Sequence, residues 1–81
     1  MTNTVGRLIT FIDKEVAKLI IEKYGYEEME AISLFLKSET YEMLVDTELE
    51  LYRCSPHILF DMWECEKITK NPRKSQYIRG N

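Results

Sequence analysis

The feature that most constrains this chain is the regular recurrence of apolar residues along its first quarter. The spacing i, i+3, i+4, i+7, which places side chains on one face of an α-helix, is followed by Val5, Leu8, Ile9, Ile12, Val16, Leu19 and Ile20. The pattern predicts a first helix that begins near Thr4 or, because aspartate is a good N-cap, at Asp13. The helix should end at Gly25, since glycine takes the left-handed conformation at little cost.

Further helix signals follow along the chain. A second helix is predicted over residues 27–37, with acidic side chains in its first turn, where they meet the positive end of the helix dipole. Its apolar positions are Met29, Ile32 and Leu36, with Leu34 and Phe35 as further candidates.

Two serines mark the starts of the remaining helices. Ser38 is a good N-cap for a short third helix, and Ser55-Pro56 predicts the start of a fourth that runs to about Lys70. Asn71-Pro72 should stop it, because proline disfavours helix in the residue before it. Between these helices, residues 46–54 should be irregular, and residues 48–52 alternate enough to form an extended segment.

These signals predict an all-α fold, a small bundle of three to four helices with a basic C-terminal tail. We expect residues 1–72 to form the bundle domain and residues 73–81 to form the tail. The first, second and fourth helices should supply the core. A domain of 81 residues buries a limited share of its surface, so its stability should be marginal.

Charge is unevenly distributed along the chain. The net charge is −3, which argues against strong nucleic-acid binding by the whole chain, yet residues 67–81 hold five of the eleven basic residues and no acidic one. This basic end is either a solvated helix terminus and tail or a short arm for an acidic partner or a phosphate.

Localisation is inferred from the cysteines and from apolar runs. Two cysteines are far too few for a disulfide framework, the first residues lack a signal-peptide pattern, and the apolar runs are too short to cross a membrane. We therefore expect a cytoplasmic protein without membrane attachment.

The residues most capable of chemistry lie around the fourth helix: Cys54, His57, Asp61 and Cys65. The two cysteines are eleven residues apart, roughly 16 Å of helix rise, which is too far for one metal ion to bridge. A Cys54–His57 nucleophile would lack an orienting acid and an oxyanion site. We therefore expect no metal, no cofactor and no enzymatic activity.

Aromatic residues of the fourth helix suggest two interpretations. Phe60 and Trp63 fall roughly opposite Ile58, Met62 and Cys65, whereas a surface helix usually has one apolar stripe. The helix is either central in the bundle or presents an exposed aromatic patch to a partner. On the second interpretation, the partner-binding residues would be Phe60, Trp63, Arg73, Lys74, Tyr77 and Arg79.

Three segments carry a family resemblance. They are the segment Glu39-Thr40-Tyr41-Glu42-Met43-Leu44, the segment Phe60-Asp61-Met62-Trp63-Glu64, and Asn71-Pro72-Arg73-Lys74-Ser75. With these segments, the stretch from Asp13 to Gly80 resembles a group of short, uncharacterised bacterial helical proteins, some of which are encoded beside ADP-ribosyltransferase-like toxins. The resemblance implies a helical fold and a partner-binding or antitoxin-like role, and it carries no functional residue over to this chain.

The function expected from these observations is that of a non-catalytic protein–protein interaction module, a small regulator or toxin-neutralising partner. Two alternatives remain. The third and fourth helices could imitate a helix-turn-helix, with the basic tail on phosphates, although the acidic residues of the fourth helix would repel them. Alternatively, the apolar faces could be buried in a homodimer.

Overall fold

The computed structural model describes residues 4–72, which form four α-helices and one short 3-10 helix. The elements are α1 (Thr4–Tyr24), α2 (Glu28–Leu36), α3 (Glu39–Val45), the 3-10 helix (Leu51–Arg53) and α4 (Pro56–Thr69). The predicted all-α class is confirmed, and no strand occurs within residues 4–72. Residues 73–81 lie outside the described residues, so the basic tail and the boundary at residue 72 stay predictions.

The first helix begins at the earlier of its two predicted starts. Because α1 is continuous from Thr4, Asp13 lies in the helix interior, and the alternative start at Asp13 is wrong. The predicted end is confirmed: Gly25 has a φ of 75°, and its N–H donates to the carbonyl of Ile21 at 2.8 Å. A left-handed glycine here ends the helix and satisfies one of its last carbonyls.

The predicted serine caps are also confirmed. The Ser38 hydroxyl accepts a hydrogen bond from the Tyr41 N–H at 3.1 Å, and the Ser55 hydroxyl accepts one from the His57 N–H at 3.0 Å. Each bond satisfies a backbone donor that the first turn of a helix leaves without an intrahelical partner. At its other end, α4 is followed by Lys70, a non-glycine residue with a φ of 68°.

The extended segment predicted for residues 48–52 is wrong. Turns occupy this region, and Leu51–Arg53 form the 3-10 helix. The Asp46 carboxylate accepts a bond from the Glu48 N–H at 3.1 Å, and the Asp46 carbonyl accepts one from the Leu49 N–H at 3.0 Å. Local bonds therefore satisfy the backbone groups that a strand would have offered to a neighbouring strand.

The core lies where α1 packs against α2 and α4, and where α3 packs against α4. All four helices contribute to it, together with Leu51, so the expectation that α1, α2 and α4 supply it was incomplete. The buried apolar residues are Ile12, Val16, Ala17, Ile20, Ala31, Phe35, Met43, Leu44, Leu51, Leu59, Met62 and Trp63.

The orientation of α2 differs from the one predicted. Ala31 and Phe35 are its buried residues, Ile32 is partly buried, and Met29, an expected apolar position, is 76% exposed. Residues four apart lie above one another on a helix, so the pair Ala31–Phe35 defines the inward stripe. Met29 lies half a turn away from Ala31 and therefore points outward.

The described part of the molecule is flat. Its principal dimensions are 37 × 35 × 18 Å, and the shortest is close to two helix diameters of about 10 Å each. Large apolar side chains such as Phe11 and Ile68 stay at the surface of this thin arrangement. Within residues 4–72, no helix is long and apolar enough to cross a membrane.

Candidate interaction site

Of the two interpretations of the fourth helix, the exposed aromatic patch does not hold at Trp63, because Trp63 is only 5% exposed. It belongs to the same inward stripe of α4 as Leu59 and Met62, which are fully buried. Adjacent helical residues are about 100° apart, so a wide apolar stripe includes both Met62 and Trp63. The structure favours the central-helix interpretation for this face of α4, and any role of Trp63 in partner binding must be indirect.

Trp63 and three neighbouring rings, those of Tyr24, Tyr26 and Phe60, form what we call the aromatic cluster. Tyr24, the last residue of α1, meets the Trp63 ring edge-on with a centroid distance of 5.8 Å. Phe60 stacks on Trp63 at 6.2 Å, and Tyr26 lies 6.1 Å from Tyr24. Tyr24 is 37% exposed and Phe60 is half-buried, so the cluster reaches from the core to the surface.

A charged hydrogen-bond network holds the edge of this cluster. The same Oε2 atom of Glu64 accepts bonds from Lys23 Nζ and from the Tyr24 hydroxyl, each at 2.6 Å. The bond to Glu64 favours the neutral phenol and, with burial, raises the pKa of Tyr24 to about 12. Burial acts to raise the pKa of Glu64, but the bonds from Lys23 and Tyr24 outweigh it, so that pKa is lowered. Glu64 is therefore ionised at neutral pH, and its bonds to Lys23 and Tyr24 join α4 to α1.

Lys67 covers the cluster from α4. Its Nζ lies 4.5 Å from the centroid of the Tyr24 ring and 5.4 Å from those of Tyr26 and Trp63. It also donates a hydrogen bond to the Tyr26 hydroxyl at 3.1 Å. A cation over several ring faces gains from their quadrupoles and is held in one place.

Beside the cluster lies an open groove of about 370 Å³ between α4 and the junction of α2 with α3. We call it the lysine groove, because three of its lining residues are lysines. It is lined by Tyr26, Leu34, Lys37, Ser38, Trp63, Glu66, Lys67 and Lys70. Within residues 4–72, no carboxylate lies within 4 Å of the Nζ atoms of Lys37, Lys67 or Lys70.

The one carboxylate that lines the groove, Glu66, is fully engaged elsewhere. Its oxygens accept bonds from the N–H groups of Glu39 and Thr40, both at 2.9 Å, and from the Thr40 hydroxyl at 2.8 Å. Glu66 thus caps the start of α3 from a different helix, and negative charge there is stabilised by the helix dipole. Two of the first N–H groups of α3 are therefore occupied.

Next to the groove lies a second hollow of opposite character, with a volume of about 430 Å³. Its lining residues are Lys37, Glu39, Glu42, Met43, Asp46 and Leu49. Lys37 belongs to both hollows, so a basic surface and an acidic surface adjoin at this residue.

The residues considered for metal binding or catalysis lie just before α4 and along it. His57 is exposed in the first turn of α4, while Cys54 and Cys65 are free and half-buried. Cys65 Sγ lies 3.7 Å from Thr69 Oγ1 on the same helix. Within residues 4–72, no three histidine, cysteine or acidic side chains are grouped so that they could hold a metal ion.

Of the six residues predicted to bind a partner, only Phe60 and Trp63 are described, and they stack on each other. Arg73, Lys74, Tyr77 and Arg79 lie outside the described residues. Sequence reasoning missed the contributions of Lys23, Tyr24 and Tyr26, although their position around the helix-ending Gly25 was a signal. A lysine four residues after Trp63 was another, because residues at that spacing meet on a helix. Comparisons with protein-family models, with curated proteins and with solved structures find no match for this chain.

Proposed function

We propose that the protein is a non-catalytic protein–protein interaction module that acts in the cytoplasm as a small regulator or antitoxin-like partner. The observation that carries this proposal is the continuity of the aromatic cluster with the lysine groove: Tyr26 and Trp63 belong to both, and Lys67, which lines the groove, covers the cluster. Aromatic side chains are enriched in protein interfaces and supply much of their binding energy.

The surface is also pre-organised for binding. Trp63 provides a buried floor, and the bonds of Lys23 and Tyr24 to Glu64 hold the edge of the cluster before any partner arrives. Side chains that are already ordered lose little conformational entropy on association. The partly exposed rings of Tyr24 and Phe60 would then be the contact residues, and Trp63 would position them.

The regulator and cytoplasmic parts of the proposal rest on the resemblance expected from the sequence and on the two cysteines. The resemblance to proteins encoded beside toxins suggests an antitoxin-like role. Cys54 and Cys65 are both free, which suits a reducing compartment.

Affinity capture from host lysate at moderate salt tests the proposal. We expect one protein to be retained by the wild type and by Phe11→Ala, and to be lost with Phe60→Ala. Phe11 is a suitable control because it is an exposed phenylalanine on α1, outside the aromatic cluster. Circular dichroism must show that both variants stay folded. Equal retention by all three proteins, or no retained protein, would contradict the proposal.

Self-association is a second candidate, because the lysine groove adjoins the acidic hollow. In a two-fold dimer the same patch of each copy faces its counterpart, so neighbouring patches of opposite charge can be self-complementary. Light scattering across a concentration series decides this: a mass of one chain at every concentration would exclude it, and a mass of two chains would support it.

A further inference from the structure

We infer that the lysine groove binds a short acidic segment of a partner protein that carries one bulky apolar side chain. This inference rests on the proposed interaction function and specifies the ligand of the groove. It follows from three properties of the groove: its apolar floor, its lysines and the state of its only carboxylate.

The floor of the groove calls for an apolar group. Trp63, Tyr26 and Leu34 line it, and Leu34 is partly exposed there. A volume of about 370 Å³ lies in the range of small-molecule pockets, so it accepts a bulky side chain with some of its backbone. A ligand without an apolar group would leave Leu34 and the partly buried Tyr26 in contact with water.

The rim of the groove calls for carboxylates. Lys37, Lys67 and Lys70 contribute three positive charges, whereas the single negative charge of Glu66 is taken up by the start of α3. Lys37 and Lys70 follow the C-terminal ends of α2 and α4, where lysine is favourable without any ligand. Lys67 lies within α4, and its Nζ is held over the rings at the edge of the groove.

The surroundings of the groove disfavour phosphate and nucleic acid. A phosphate could not use the N–H groups at the start of α3, because Glu66 occupies those of Glu39 and Thr40. An extended polyanion that left the groove past Lys37 would meet Glu42 and Asp46 in the acidic hollow. A short segment with a few carboxylates fits between these limits.

The experiment is a selection from a random 12-residue peptide library displayed on phage, with the full-length protein as bait. We compare the wild type with a groove variant, Lys37→Gln/Lys70→Asn. Asparagine tolerates the left-handed backbone of residue 70. The matched control is Lys14→Gln/Lys18→Gln, which removes two exposed lysines from α1 and so changes the net charge equally.

We expect the wild type and the control to enrich peptides in which acidic residues flank a bulky apolar one. For such a peptide, the groove variant should bind about two- to thirtyfold more weakly, as the loss of two exposed charge pairs predicts. Binding should also change the fluorescence of Trp63, the only tryptophan. Basic or neutral consensus peptides, no enrichment, or equal affinity for the groove variant would overturn the inference.

Two further outcomes would overturn it in favour of another occupant. In a competition assay, a short DNA duplex and the free peptide are each used to displace the bound peptide. If the duplex acts at the lower concentration, the groove binds nucleic acid. A dimer that dissociates in the groove variant would indicate a second copy of the chain. If Phe60→Ala abolishes capture of the protein but no acidic peptide binds, the inference is wrong and the proposed function still stands. If Phe60→Ala captures the protein as well as the wild type does, the proposed function itself is contradicted.

Discussion

Replacement of Asp13 by asparagine should stabilise the protein at neutral pH. Asp13 lies half-buried in the interior of α1, and its Oδ1 atom is buried without a hydrogen-bond partner. Burial disfavours the charged form and raises the pKa of Asp13 from 3.8 to about 6. Asparagine has nearly the same shape and carries no charge, so it removes this penalty.

The size of the effect follows from the pKa change. A rise of about two pKa units corresponds to roughly 3 kcal/mol, and partial exposure of the group reduces this to about 1–2 kcal/mol. The pKa of Asp13 is higher in the folded state, so the contribution of Asp13 to stability is greatest well below pH 3.8 and is lost as the pH rises from about 4 through 6. The advantage of Asp13→Asn should therefore be small at about pH 4 and complete at about pH 7.5.

Urea unfolding followed by circular dichroism, at steps between pH 4 and pH 8, measures this difference. Glu22→Gln is the control, because Glu22 is an exposed acid of the same helix, and its replacement should change stability by no more than about 0.5 kcal/mol. The reasoning is refuted if the advantage of Asp13→Asn does not grow with pH, or if Asp13→Asn destabilises the protein throughout.

Three other predictions concern stability. Trp63→Ala should lower the free energy of unfolding by about 3–5 kcal/mol, because Trp63 is buried, and a small loss in urea unfolding would show that it is not core. Glu66→Ala should lower the free energy of unfolding by about 1–3 kcal/mol, because it leaves the amides at the start of α3 unpaired. The Thr40 amide hydrogen should then exchange faster, and an unchanged exchange rate would argue against this cap. Lys70→Gly should raise the free energy of unfolding by about 1 kcal/mol and Gly25→Ala should lower it by about as much, because both positions have positive φ; melting temperatures that shift in the same direction would contradict this.

The helix boundaries could be predicted because their signals act over a few residues. Ser38 and Ser55 bond to N–H groups two or three residues ahead, and Gly25 bonds back to Ile21. These contacts form within one turn whatever the rest of the chain does. The exception was the segment 48–52, where alternation resembled a strand, but local turns satisfied the backbone instead.

The candidate site could be predicted only in part. Phe60 and Trp63 were selected for their type, yet the sequence did not show that Trp63 is covered by Tyr24, which lies 39 positions earlier in the chain. Lys67 and Lys70 appeared only as part of a basic end. Their place beside Lys37 depends on the packing of α4 against the start of α3, which is stabilised by the hydrogen bonds that Glu66 accepts there.

By itself, the sequence determined the all-α class, the helix ends and the excess of positive charge after residue 66, because periodicity, caps and composition are local or additive. Only the tertiary structure decided that Asp13 is half-buried, that Glu66 caps another helix, and that three lysines surround an aromatic floor. Each of these features depends on how two helices pack against each other. The free energy of that packing comes from residues that are far apart in the chain.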